Sequence, residues 1–188
     1  MKTKRFLSYV IDLLIIFTLV YLLKNILITK EITNLNIELS NITQRFLKNE
    51  INFIEYFNNS AIVSMKLDKA SVLVNAMNFV LISIFTIIVP YFFKYQTIGN
   101  KIMKTKIVPN EGKITIKKLI LRGIILYGYI QLIISTILLY VVNASTYFAL
   151  ASILAFFQIL LVITSGFMIL YNKEGLHDYI SKTHIEKI

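Results

Sequence analysis

An acidic residue interrupts the first long apolar run of this chain. Asp12 lies within residues 6–23, which otherwise carry mainly large apolar side chains. The run is long enough to cross a bilayer as a helix, which takes about 17–25 residues. Because a carboxylate near the centre of such a helix costs about 2.5–3.5 kcal/mol on insertion scales, intramembrane acids usually face a protein interior and have a partner. The run therefore predicts a membrane-spanning helix with a polar contact inside it.

Three more apolar runs have a similar length and occupy residues 71–93, 119–142 and 147–171. Each is expected to be a helix, since a helix satisfies its own backbone hydrogen bonds in lipid. The chain has 188 residues and is 56% hydrophobic. Soluble domains usually reach only about 45–50%, even with glycine counted. We expect an all-α transmembrane fold, a four-helix membrane bundle formed by a single domain.

The first apolar run also has a feature of secretory signal peptides, because basic residues precede it. The run exceeds the usual apolar length of about 7–15 residues, and no cleavage pattern of small residues follows it. We therefore expect an uncleaved helix.

Basic residues flank the apolar runs and indicate the orientation of the chain. The net charge is +10, and residues 94–118 carry seven lysines against one acid, Glu111. Cytoplasmic loops are enriched in Lys and Arg, so both termini and this loop are expected in the cytoplasm, with the protein in the cell membrane. The same placement favours the lipid bilayer over nucleic acid as a partner. Without cysteine, disulfides and thiolate metal sites are excluded.

The extracytoplasmic segment 29–70 contains a helical stripe of apolar residues with a spacing of three and four: Ile32, Leu35, Leu39, Ile42 and Phe46. This spacing predicts an amphipathic helix that lies on the outer leaflet or covers the bundle. A second, short helix is expected over residues 51–57. The stripe is interpreted as packing against the protein itself, with docking of a partner as the alternative.

Several polar residues fall inside the apolar runs. Arg122 should lie at the same depth as Asp12, so we predict an ion pair between them. In the alternative, Arg122 reaches the interface and Asp12 is protonated or hydrated. Gln131 and Gln158 are interpreted as hydrogen-bonding contacts between helices, with an ion path as the alternative. Pro90 is expected to kink the second span.

Four groups of residues together resemble the RDD family of bacterial membrane proteins: residues 5–12, residues 96–101 with 110–112, Arg122, and residues 175–183. The family is named after one arginine and two aspartates, and the resemblance places these at Arg5, Asp12 and Asp178. Its motifs also contain Thr97, Gly99, Lys101, His177 and Thr183. The chain departs from the pattern in its long segment 29–70. It also departs at Asn172-Lys173-Glu174, where the usual basic residue is shifted.

Two of these motifs allow a structural prediction of their own. Residues 102–116 alternate partly in polarity around a turn at 109–112, which predicts a small cytoplasmic β-hairpin. The tail carboxylate of Asp178 is expected either to contact Arg5 or to remain solvated. His177 is the group expected to titrate near neutral pH, but one His beside one Asp is not a metal site.

The resemblance implies a membrane protein that takes part in transport, including sodium/proton exchange, or regulates other membrane proteins. In the first hypothesis Asp12 is the ionisable site of ion transport. A pathway through so few spans is expected to need a homo-oligomer. In the second hypothesis the chain is a non-catalytic membrane partner, such as a regulator, immunity protein or assembly factor, acting through segment 29–70. An enzyme is not expected, since no nucleophile and base are paired in the sequence, and no cofactor is expected.

Overall fold

The computed structural model describes residues 2–171 and 174–188; the shifted motif position at Asn172 and Lys173 lies outside this range. In chain order the helices are α1 Lys2–Leu27, α2 Lys30–Leu47, α3 Phe53–Ala70, α4 Val72–Ser83, α5 Val89–Phe92, α6 Ile98–Ile102, α7 Ile116–Tyr127, α8 Tyr129–Val141, α9 Ala144–Leu170 and α10 Leu176–Ser181. A π-helical turn, Ile84–Ile88, joins α4 to α5. The strands are β1 Thr105–Pro109 and β2 Thr183–Lys187.

Three helices in the described residues are long and apolar enough to cross a membrane: Thr3–Leu27, Val72–Phe92 and Ala144–Leu170. They coincide with the first, second and fourth predicted spans. The third predicted span is instead two helices, α7 and α8, bent by 69° at a break. The described chain therefore has three continuous helices that could span a membrane, and a fourth such span only if α7 and α8 together form one.

The break between α7 and α8 lies at Gly128, which has the left-handed backbone angles φ 68° and ψ 31°. Glycine adopts this conformation without a Cβ penalty and commonly ends helices. The last carbonyl groups of a helix have no partner within it. The side-chain amide of Gln158 donates to one of them, the carbonyl of Ile125, over 2.8 Å. Gln158 is thus a contact between helices, as predicted.

The second span contains Pro90, which has no backbone N–H to give to a helix. The preceding turn is π-helical rather than α-helical, and such turns are a usual way to absorb an interruption. The hydroxyl of Thr86, inside this turn, donates to the carbonyl of Ile82 and lies 2.6 Å from the Tyr129 hydroxyl.

The chain folds into two compact units. The first consists of the described residues in 1–22, 78–130 and 157–188, and contains the two strands. β1 pairs with β2 in antiparallel register, with Ile107 opposite Ile185. The predicted hairpin within 102–116 is therefore wrong. Ile114 packs against Ile107 and Leu119 instead of continuing a strand, and the tail provides the partner of β1.

The second unit consists of residues 23–77 and 131–156. Here the predicted stripe on α2 is confirmed, because it packs on α3 around Ile42, Ile51 and Val63. The second helix is longer than expected and begins with a capping box, in which Asn52 accepts from the backbone N–H of Glu55 and the Glu55 carboxylate accepts from that of Asn52. At its other end the carboxylate of Asp68 accepts a hydrogen bond from the Tyr147 hydroxyl at 2.6 Å.

Candidate functional site

Asp12 on α1 binds the beginning of α6. Its carboxylate accepts a hydrogen bond of 2.6 Å from the Thr97 hydroxyl and one of 2.8 Å from the Gly99 backbone N–H. Thr97 is also the N-cap of α6, since its side-chain oxygen accepts from the backbone N–H of Asn100. Unpaired N–H groups and the helix dipole both favour a carboxylate at this end of a helix. Asp12 thus holds the loop before β1 against the first span.

The approach of this loop to α1 requires glycine at position 99. A Cβ there would collide with the backbone carbonyl oxygen of Ser8 and would lie 3.0 Å from the Asp12 carboxylate. Beside it, the buried amide of Asn100 accepts hydrogen bonds from Ser8 (2.7 Å) and Thr105 (3.0 Å). The contact between α1 and the loop is therefore polar, buried and close.

Asp178 in α10 is fully buried and is surrounded by donors. Arg122 binds one carboxylate oxygen, and Arg5 lies 3.5 Å and His177 3.4 Å from the other. Burial alone would raise the pKa of the Asp178 carboxyl, but the charges of Arg122 and Arg5 hold it below its usual value. The predicted contact of Asp178 with Arg5 is present, with Arg122 as the closer partner.

The tail also holds Arg122 through hydroxyl groups. The guanidinium donates to the Thr183 hydroxyl at 3.2 Å, and Ser181 lies 2.7 Å from the same oxygen. The tail therefore contacts Arg122 twice, through Asp178 in α10 and through Thr183 at the start of β2. A buried guanidinium is tolerated when its donors are satisfied in this way.

His177 is buried between α9 and α1. Its Nδ1 is hydrogen-bonded to the Ser165 hydroxyl, and its ring stacks on Tyr9 with centroids 5.9 Å apart. Burial lowers the pKa of His177 to about 3, despite the nearby negative charge of Asp178. The ring is therefore neutral at physiological pH, and the expectation that it titrates near neutrality is wrong. Its Nε2 lies 3.4 Å from the Asp178 carboxylate, which favours the tautomer with the proton on Nε2.

The predicted ion pair between Asp12 and Arg122 is not formed. Within the part of the chain that the structure describes, Arg122 pairs with Asp178, while Asp12 is bound by uncharged donors. Both residues nevertheless line one cavity of about 20 Å³, together with Asn100, Tyr127 and His177. Such a volume holds a single water molecule, which needs about 10–15 Å³.

Two predicted positions remain, Lys101 and Gln131. Lys101 is exposed, with its ammonium 6.0 Å from the Phe93 ring centroid. Gln131 is half-buried in α8. In residues 2–171 and 174–188 no group of three acidic or histidine side chains is placed to hold a metal ion.

Sequence reasoning missed five buried polar residues of the site, namely Ser8, Asn100, Thr105, Ser165 and Ser181. Ser8 had a usable signal, because it precedes Asp12 by four positions and so shares its helix face. The others have no periodic pattern that marks them. Asn100 bonds Ser8, which is 92 positions away, as well as Thr105 five positions on, and Ser165 bonds His177 from another helix.

The comparison with protein families gives one match, to the model described as the RDD family, over residues 2–182. No curated protein and no solved structure matches the chain. The family match spans Arg5, Asp12, Arg122 and Asp178, and it includes the three helices that could span a membrane. Because it covers nearly the whole sequence, the chain belongs to the RDD family of proteins, with apolar helices suited to a membrane.

Proposed function

We propose that the protein transports ions across the cell membrane, exchanging sodium for protons at Asp12. The observation that carries this proposal is the engagement of Arg122 by Asp178. Among the described residues, this pairing leaves the Asp12 carboxylate in a spanning helix without a basic side chain in direct contact. A carboxylate in that position is expensive in a bilayer, so a proton or a cation that neutralises it is favoured.

The surroundings of Asp12 support binding of a small cation. The cavity of about 20 Å³ is bordered by the Asp12 carboxylate, Thr97, Asn100 and Tyr127, all of which carry oxygen atoms. Hard cations prefer oxygen ligands, and the volume suits one water or an ion of comparable size. Arg122 lines the same cavity and disfavours a second positive charge, so the ion and the proton would compete for Asp12.

The basic residues at the start of α1 and between α5 and α7 support a topology in which both termini and that loop lie in the cytoplasm. In this arrangement the Asp12 cavity faces the cytoplasmic half of the bilayer. A passage to the other side would be completed by association of chains, and we propose a homo-oligomer as the transporting form. No catalytic role or cofactor is part of the proposal.

Ion flux in proteoliposomes tests the role of Asp12. The wild type should acidify or alkalinise the lumen in response to a sodium gradient, and Asp12→Asn should abolish this response. The amide keeps an acceptor for the Gly99 N–H, so the loop contact is retained. Asp68→Asn is the matched control, because Asp68 bonds Tyr147 outside the site. Absence of sodium-dependent flux in the wild type, or equal flux in Asp12→Asn, would contradict transport.

A specific observation also favours the alternative of a non-catalytic membrane partner. Three apolar side chains are exposed where α2 connects to α3, namely Leu47 (73%), Phe53 (65%) and Ile54 (70%). The stripe on α2 is already covered by α3, so these residues are an additional apolar surface. In this role the segment would bind a regulated or assembled membrane protein.

Photo-crosslinking distinguishes the alternative. A photoreactive phenylalanine analogue at Phe53 should capture a defined membrane protein in cells, whereas the same group at the exposed Glu31 should not. Equal labelling at both positions would argue against a partner at this surface.

A further inference from the structure

An apolar crevice of about 330 Å³ lies among the spanning elements of the first unit, separate from the contacts of Asp12. Ile16 of α1 and Leu126 of α7 are buried and form its inner wall. Phe17, Ile159 and Ile163 line its mouth and are exposed. The crevice is therefore a recess in the surface that the spanning helices present to the bilayer.

The polar side chains of the crevice do not make it a water site. Gln158 uses its amide N–H to bind the carbonyl of Ile125, and Tyr127 lies at the boundary between the crevice and the small Asp12 cavity. An ordered water needs about two to four polar partners, and the remaining lining is made of aliphatic and aromatic side chains. An apolar occupant is favoured over water.

We propose that the crevice binds one acyl chain of a membrane phospholipid. The rim residues Phe17, Ile159 and Ile163 continue the apolar outer surface of α1 and α9, where acyl chains are the surrounding solvent. The volume falls at the lower end of the range for ligand pockets, about 300–1,000 Å³. A helix of a second copy is about 10–12 Å wide and would not enter this recess, whereas a single chain is slender enough.

Occupation by an acyl chain also has an energetic reason. Side chains that line an empty recess lack dispersion contacts on one side, and these contacts are collectively large. An acyl chain held against Ile16 and Leu126 restores them without breaking a polar contact, because Gln158 is already bound to Ile125. Binding should thus be selective for the recess over the open helix surface.

The sequence contains no tryptophan, so an introduced one reports its own surroundings. Phe17→Trp places the reporter at the crevice mouth. Phe167→Trp is the matched control, since Phe167 is similarly exposed on α9 (56%, against 67% for Phe17) but does not line the crevice. Each variant is purified in detergent micelles and titrated with phosphatidylglycerol carrying brominated acyl chains, which quench nearby tryptophan fluorescence.

The proposal predicts saturable loss of Phe17→Trp fluorescence at low lipid content, while Phe167→Trp is quenched only in proportion to the lipid in the micelle. Adding Val20→Phe, which fills the crevice, should reduce quenching of Phe17→Trp to the control level. If that double variant does not fold, the comparison of the single variants still decides. Equal quenching at the two positions would overturn the proposal. So would a Phe17→Trp signal that lipid never quenches, because no acyl chain would then reach the mouth of the crevice.

Discussion

Arg122 donates to the carboxylate of Asp178, which lies 56 residues further along the chain and is fully buried. The pair connects α7 to the tail, and Arg5 adds a second guanidinium from α1. Three distant parts of the sequence therefore meet at one carboxylate. Two charged residues of the family signature, Arg5 and Asp178, thus join separate parts of the fold to one another.

Asp178→Asn should be strongly destabilising. The substitution leaves the buried Arg122 without its negative partner, and removing one member of a buried pair costs about 3–5 kcal/mol. Chemical unfolding in detergent micelles measures the loss. The control is Glu186→Gln, an exposed acid in β2, for which a change of at most about 1 kcal/mol is expected. Similar effects of both substitutions would show that the Asp178 pair is not an anchor of the tail.

The position of Asp12 depends on a glycine, which gives a second prediction. Gly99→Ala should destabilise the fold by about 1–3 kcal/mol, the usual cost of overpacking, since its Cβ would meet the Ser8 carbonyl. Gly166→Ala is the control, because its nearest neighbour is a Tyr9 ring atom at 3.7 Å, an ordinary contact. In a helix that change should be neutral or stabilising by about 0.5–1 kcal/mol. A neutral Gly99→Ala variant would mean that the loop does not approach α1 this closely.

The extent to which the sequence predicts this fold differs between local and distant features. Three spans are predictable from hydropathy, because a helix in lipid satisfies its backbone hydrogen bonds within its own segment and needs no distant partner. The start of α3 was also readable, since Asn52 followed three residues later by Glu55 is a capping box. The break at Gly128 was not predicted, because glycine in an apolar run is equally compatible with close helix packing.

The partner of Arg122 shows why the site was harder to predict. Matching depths in the membrane suggested Asp12, but depth does not reveal that the tail folds back with a second carboxylate. The partner of β1 was predicted wrongly for the same reason, because it too lies in the tail. Residues after the turn at 109–112 looked like the partner of β1, yet Ile114 is buried beside Leu119 and β2 takes that place. Contacts between distant segments have no local pattern.

The burial of His177 gives a pH dependence whose sign can be stated. Its pKa is about 3 in the fold and 6.5 in the reference state, so the unfolded chain binds more protons between these values. The His177 contribution to stability is therefore complete above pH 6.5 and is lost as the pH falls towards 3. His177→Gln keeps an N–H for Asp178 without a titrating ring, and should flatten the stability profile between pH 4 and 6.5, where Asp178 is still ionised. Unfolding midpoints measured across this range provide the check, and parallel profiles for both proteins would contradict a buried neutral ring.

Disulfide trapping tests the pairing of β1 with the tail. The chain has no cysteine, so an introduced pair reacts without background. Lys106 lies opposite Glu186 in the antiparallel register, and directly opposed residues have the Cα separation that a disulfide needs, about 4.4–6.8 Å. Lys106→Cys with Glu186→Cys should therefore cross-link under mild oxidation, which is detected by faster gel migration. Lys106→Cys with Thr115→Cys is the control for a local hairpin, because a turn at 109–112 would place these two residues opposite each other, and this pair should remain reduced. Cross-linking of the control pair alone would mean that β1 pairs with the residues that follow it and that the tail is released from Arg122.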